Sequence, residues 1–238
     1  MTTMLVRKAG DRMHSTHGWL DSWHTFSFAD HYDPKYMGFR SLRVINDDTV
    51  QPAMGFGTHS HRDMEIISYV LEGSLEHKDS IGTGSVIRPG DVQKMSAGSG
   101  IAHSEFNHSK SELVHFLQIW IIPDKGGVKP SYDQIHYPVA DRAGKLKLVG
   151  SNQKQDGVIH IQQDVQLYAT VLQSAAHRVE HTLPAGRYAW VHVAKGSIEV
   201  NGKTLSAGDG AAIAADTGAA TVTLQGAPEG EALLFDMP

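Results

Sequence analysis

Short runs of apolar and β-branched residues recur along the chain, each bounded by Gly, Pro, Asn or Asp. In the first half they are Leu42–Asn46, Glu65–Glu72, Ser74–Lys78, Val92–Met95 and Leu113–Ile122. No stretch carries the 3.6-residue period of a long helix, so the pattern predicts short strands arranged as a sandwich or barrel. Leu113–Ile122 reads LVHFLQIWII, apolar at nearly every position, as a strand covered on both faces does. Pro123–Gly144 is rich in glycine, proline and charge and reads as a connection. Beyond it strands are predicted at Leu146–Val149, Val158–Ile161, Val165–Leu172, Arg178–Leu183, Tyr188–Ala194 and Ser197–Val200. Asn201-Gly202, between SIEV and KTLS, predicts a tight hairpin, because both residues tolerate the positive φ of a type I′ turn.

Two landmarks repeat. Gly73 in LEGSLE aligns with Gly196 in AKGSIE, and Gly90-Asp91 in RPGD aligns with Gly208-Asp209 in SAGD, which predicts two related β units in tandem. A chain of 238 residues holds two barrels of about 100–120 residues each, and the expected division is residues 1–130 and 131–238. A net charge of -5 gives no broad positive field, so direct nucleic-acid binding is not expected. The absence of cysteine removes disulfides, thiolate metal sites and cysteine nucleophiles. No run approaches the roughly 20 apolar residues of a membrane span, and the first residues lack the apolar core of a signal peptide. The expectation is a cytoplasmic monomer with no membrane partner. Histidine is the one excess: ten of the 15 lie before residue 120, which places any chemistry in the first half.

In GTHSHRDMEI, His59 and His61 stand two apart at the start of a predicted strand, and side chains two apart on a strand share a face. His103 and Glu105 repeat that spacing in GIAHSEFN, so a second strand crossing nearby adds an imidazole and a carboxylate. Three neutral imidazoles and one carboxylate suit zinc or a first-row transition metal and leave coordination positions open, as catalytic sites do. Glu65 has the same strand parity as His59 and His61 and competes with Glu105 for the carboxylate position. His14, His17, His24 and His31 lie among Trp19, Trp23, Phe26 and Phe28, either at the mouth of a pocket or on a packed extension. His115 reads as a hydrogen-bonded core residue, and Glu72, His77 and Asp79 read as turn and surface groups of the LEGSLEHKDS hairpin. Counting along the repeat places Thr182 and Pro184 opposite His59 and His61, and Thr221 and Thr223 opposite His103 and Glu105. One metal per chain is therefore expected, in the first unit.

From Gly57 to Asn107 the chain resembles the two cupin motifs as pirins carry them, with HxHRxxE, LEGxxEHKDS, RPGD and MSAGxGIxHSE. The resemblance covers about the first 120 residues well, and the remainder is similar to the diverged second cupin of pirin-like bacterial quercetinases. Ser96 stands where cupins in general have proline, as in pirins. The resemblance implies an all-β fold of two tandem cupin jelly-roll barrels, the second without metal. It implies metal ligands at His59, His61, His103 and Glu105, with Glu65 beside rather than in the site. It implies one divalent transition metal, iron before copper, nickel, cobalt, manganese or zinc. The implied activity is that of a quercetin 2,3-dioxygenase, which opens a flavonol ring with dioxygen and releases carbon monoxide, with Glu105 as base. The alternative within the family is a metal-dependent redox-sensing or regulatory protein without turnover.

Overall fold

The computed structural model describes residues 3–238, and almost all regular structure in it is strand. The chain forms two compact units. Residues Met13–His136 with Ile159–Gln163 make up one; those up to Arg12, with Tyr137–Val158 and Asp164–Pro238, make up the other. β1 (Thr3–Arg7) lies in the latter, paired with a strand near the far end of the chain.

The metal-motif unit begins with β2 (Met13–Thr16), β3 (Leu20–His24), β4 (Leu42–Val50) and β5 (Gly55–His61). It continues with β6 (Glu65–Glu72), β7 (Leu75–Asp79), β8 (Gly84–Ile87), β9 (Asp91–Ser96), β10 (Ile101–Asn107), β11 (Val114–Ile121) and β12 (Ser131–His136). Two antiparallel sheets result, ordered β12-β9-β6-β11-β4-β3-β2 and β5-β10-β7-β8. Val50, Val70, Val114 and Phe116 from the first sheet meet Leu75 and Ile87 from the second in a common core. This is the double-sheet jelly roll that the strand spacing predicts. β11 is buried along most of its length between β4 and β6, as its unbroken apolar run requires. One difference is instructive: Ser131–His136, inside the stretch read as connection, forms β12 and pairs with β9. Its sequence SYDQIH is polar, and an edge strand with one wet face needs little apolar character.

The other unit carries β13 (Lys147–Ser151), followed in the chain by β14 (Ile159–His160), which packs against β12. Then come β15 (Gln166–Leu172), β16 (Arg178–Leu183), β17 (Tyr188–Val200), β18 (Lys203–Ser206), β19 (Gly210–Ala214) and β20 (Ala220–Met237). Its strands run β1-β19-β17-β20-β15-β13, with β16 on β20 and β18 on β17. The two strands predicted at 188–194 and 197–200 are one, β17, because register shifts around Lys195 and Gly196 absorb the irregularity without a turn. Asn201 and Gly202 have φ of 48° and 78°, the double left-handed turn expected there.

The repeat is physical. Gly73 and Gly196 have φ of 73° and 63°, and at each an added Cβ would lie 2.3 Å from a backbone carbonyl oxygen, of Leu113 or Glu229. Asp91 accepts the Arg88 N–H at 2.8 Å and Asp209 the Ser206 N–H at 3.0 Å, so both Gly-Asp corners close by the same side-chain bond. The register agrees as well: Thr182 pairs with Thr221 as His59 pairs with His103. No described helix is long and apolar enough to cross a membrane.

Candidate metal centre

β5 and β10 are antiparallel neighbours, with His59 opposite His103 and His61 opposite Ile101. The period of two then puts His59, His61 and His103 on one face. Their ring centroids lie 4.5 to 4.9 Å apart, and one nitrogen from each falls within 4.8 Å of the others. The pairing slips between His103 and Glu105, where Glu105 meets Phe56. Gly55 makes this approach possible, since a Cβ there would stand 2.2 Å from the Glu105 carbonyl oxygen.

His59 Nδ1 lies 2.8 Å from the Gly57 carbonyl oxygen. A carbonyl only accepts, so Nδ1 carries the proton and Nε2 presents a lone pair, the usual arrangement of a ligating histidine. His103 is buried, and neither ring nitrogen has a hydrogen-bond partner. A buried imidazole without partners is costly, and an ion beside it would satisfy it. Burial, reinforced by His59, pushes His61 down from 6.5 to about 4; burial together with His59, His61 and His77 pushes His103 to about 3. Both rings are neutral at pH 7, as metal ligation requires.

Glu105 is buried and accepts hydrogen bonds from Ser68 Oγ at 3.0 Å and Gln118 Nε2 at 2.9 Å. Burial raises its pKa, against the opposing pull of His77 and of these two donors. Its carboxylate forms a second close group with His103 and His77, again within 4.8 Å. Glu65 is elsewhere. β5 ends at His61, the Arg62–Met64 turn passes through Asp63 at φ 48°, and Glu65 opens β6 in the other sheet, so strand parity does not carry across. Its Oε2 accepts from Ser96 Oγ at 3.0 Å and the Gln162 N–H at 3.1 Å, which gives the serine of the MSAG segment a clear role.

Two readings from the sequence change. His77 and Asp79 are not surface groups: both side chains are wholly buried, and His77 Nε2 lies 3.1 Å from Asp79 Oδ2. The His77 ring stands 5.3 Å from His103, directly behind the cluster. Leu75, His77 and Asp79 share one face of β7, and the core position of Leu75 was the available signal. His115 is only partly buried, bonded to Asp47 at 2.6 Å at the strand surface. Among the early histidines, His17, His24 and His31 line a cavity, whereas His14 stacks on Trp23 at 4.0 Å.

That cavity holds about 180 Å³. His59, His61 and Glu105 form part of its wall, with Leu20, Phe28, Phe56 and Trp120 supplying apolar surface. Trp120 packs edge-on to His61, their centroids 5.0 Å apart. Asp48, which the sequence reading passed over, is buried in the wall. Burial raises it from 3.8 to about 7 despite a hydrogen bond from Ser22.

Residues 6–121 match the family described as Pirin, and residues 148–237 match the quercetinase C-terminal cupin domain. A quercetin 2,3-dioxygenase of Escherichia coli (strain K12) is 46% identical over 233 residues, 98% of either chain. The crystal structure of YhhW from Escherichia coli has a TM-score of 0.93 at 45% identity, covering 99% of this chain and 98% of that one. The bacterial pirin YhhW in complex with nickel(II) has a TM-score of 0.92 at 44% identity, covering 99% of both. A quercetin 2,3-dioxygenase from Acinetobacter baumannii, at 20% identity and TM-score 0.78 over 100% of this chain and 87% of that one, shares the fold. With two cupin units and full-length similarity at this level, the chain belongs to the pirin family.

Proposed function

We propose that this chain is a metal-dependent dioxygenase of the quercetin 2,3-dioxygenase kind, opening the ring of flavonol-like enols with dioxygen and releasing carbon monoxide. The carrying observation is three convergent imidazoles, two of them in the wall of an aromatic-lined cavity and the third buried with no partner for either nitrogen. The full-length similarity to a quercetin 2,3-dioxygenase and to a nickel-binding pirin supports the reading. His59, His61, His103 and Glu105 would hold one divalent transition ion per chain, with iron the first candidate. When bound, the ion supplies a Lewis acid that acidifies a coordinated hydroxyl and gathers enol and dioxygen at one centre.

The residues do the rest. His59 is oriented by the Gly57 carbonyl, and the neutral His61 and His103 present lone pairs without first losing protons. Leu20, Phe28, Phe56 and Trp120 take the flat apolar body of an aromatic substrate and displace water. Glu105, raised by burial, is suited to receive the hydroxyl proton on a carboxylate oxygen while Ser68 and Gln118 hold it in place. The test is metal analysis of protein purified without chelators, then oxygen uptake and carbon monoxide release over a flavonol panel. Glu105→Gln is expected to lower turnover at least about 100-fold. Wild-type rates in that variant, or no uptake with any flavonol by metal-loaded wild type, would overturn the proposal.

A further inference from the structure

The cavity wall carries polar groups other than the imidazoles and Glu105. On β4, Asn46 and Asp48 stand two apart and both line it. Both are buried, and each is held by a neighbour that also faces the cavity. The Asn46 Oδ1 accepts from His24 Nδ1 at 2.8 Å, and His24 Nε2 lies 2.8 Å from Ser15 Oγ. Asp48 Oδ1 accepts from Ser22 Oγ. These contacts use one atom of each side chain and leave the Asn46 amide N–H groups to donate and Asp48 Oδ2 to accept. Gln118 pairs with Asn46 in register and donates to Glu105, so one residue links this pair to the Glu105 carboxylate.

A donor and an acceptor fixed side by side match a narrow set of chemical groups. A carbonyl would satisfy Asn46 alone, and an ammonium Asp48 alone. A phenolic hydroxyl can meet either, since it donates and accepts, and two adjacent hydroxyls can meet both. Phe28, Phe56 and Trp120 line the same cavity and supply flat surface for an aromatic ring. Asp48 is buried, which raises its pKa and strengthens any hydrogen bond a ligand makes to it.

Resting on the ring-opening reading above, we propose that Asn46 and Asp48 form a subsite for aromatic hydroxyls distinct from the metal ligands, and that this subsite sets which flavonols the protein selects. The test is equilibrium binding to the metal-loaded full chain without dioxygen. The probes are quercetin and flavonols lacking its hydroxyls on the pendant ring or, separately, on the fused ring. Wild type is expected to bind quercetin about 10- to 100-fold more tightly than the analogue lacking the recognised hydroxyls, the cost of leaving a buried polar group without its partner. Asp48→Leu is expected to bring that ratio close to one. Asp48→Asn keeps an acceptor oxygen and is expected to retain an intermediate ratio. Should Asp48→Leu fail to fold, Asn46→Leu takes its place. The subsite is overturned if wild type shows no preference in either series. It is equally overturned if the preference survives in a leucine variant whose melting profile and metal content match wild type. Absence of oxygen uptake with every flavonol would instead overturn the ring-opening reading, while the binding ratios still judge the subsite.

Discussion

Replacing Asp48 with asparagine removes a buried acid and keeps its shape. Its burial displaces it from 3.8 to about 7, which corresponds to about 4 kcal/mol between the charged and neutral forms. Well below pH 3.8 the carboxyl is neutral in folded and unfolded chains alike, and the group has no pH-dependent effect. Between 3.8 and about 7 the folded chain keeps a proton that the unfolded chain releases. Folding stability therefore falls as pH rises through this window, and the whole penalty is expressed above pH 7. Asparagine carries no such penalty. The assay is urea unfolding of metal-free wild type and Asp48→Asn from pH 4 to 8, followed by tryptophan emission, to which Trp19, Trp23 and Trp120 contribute from the unit that contains Asp48. The variant is expected to gain on wild type by up to about 4 kcal/mol across that range, with the change centred between pH 4 and 7. A difference that stays constant with pH within about 0.5 kcal/mol would refute the reasoning, because titrating groups distant from Asp48 are common to both proteins and cancel in the comparison.

Two further outcomes test the metal centre. Gly55→Ala places a methyl 2.2 Å from the Glu105 carbonyl oxygen and 2.5 Å from the Phe106 Cα, so β5 and β10 must part. Metal affinity, measured by nickel titration calorimetry, is expected to fall about 10- to 100-fold, as when groups that orient ligands are displaced, and unchanged affinity would contradict the role given to that contact. In metal-free protein the ring-proton NMR signals of His61 and His103 are expected to stay at their neutral positions down to about pH 5, since burial and neighbouring imidazoles hold the two at about 4 and about 3. A midpoint near 6.5 for either ring would show that the cluster is wetter and looser than described.

The parts of the structure that chain-local physics controls were legible in the sequence. A strand repeats every two residues, so His59 with His61 and His103 with Glu105 declared their faces before any partner was known. Gly73 and Gly196 showed the duplication because each must take a left-handed φ against a backbone oxygen, a demand that survives divergence. What distant crossings decide was hidden. LEGSLEHKDS looks like a wet hairpin, and only the passage of β10 beside β7 buries His77 and Asp79. The parity of Glu65 pointed to the site, but the turn at Asp63 sends it to the other sheet. Asp48 sat unremarked in RVINDDTV because nothing local distinguishes it from Asp47; the two project to opposite faces of β4, and only Asp48 is on the buried face.

The pairing of Thr182 with Thr221, at the place where the leading unit pairs His59 with His103, separates architecture from reactivity. The trailing jelly roll reaches the same corners and the same crossing with hydroxyls in place of imidazoles, so neither depends on rings gripping an ion. The scaffold comes first and the metal is cargo. Stripping the ion with a chelator should leave an intact, silent vessel that can be refilled, and exchanging one metal for another becomes a change of chemistry made without rebuilding the container.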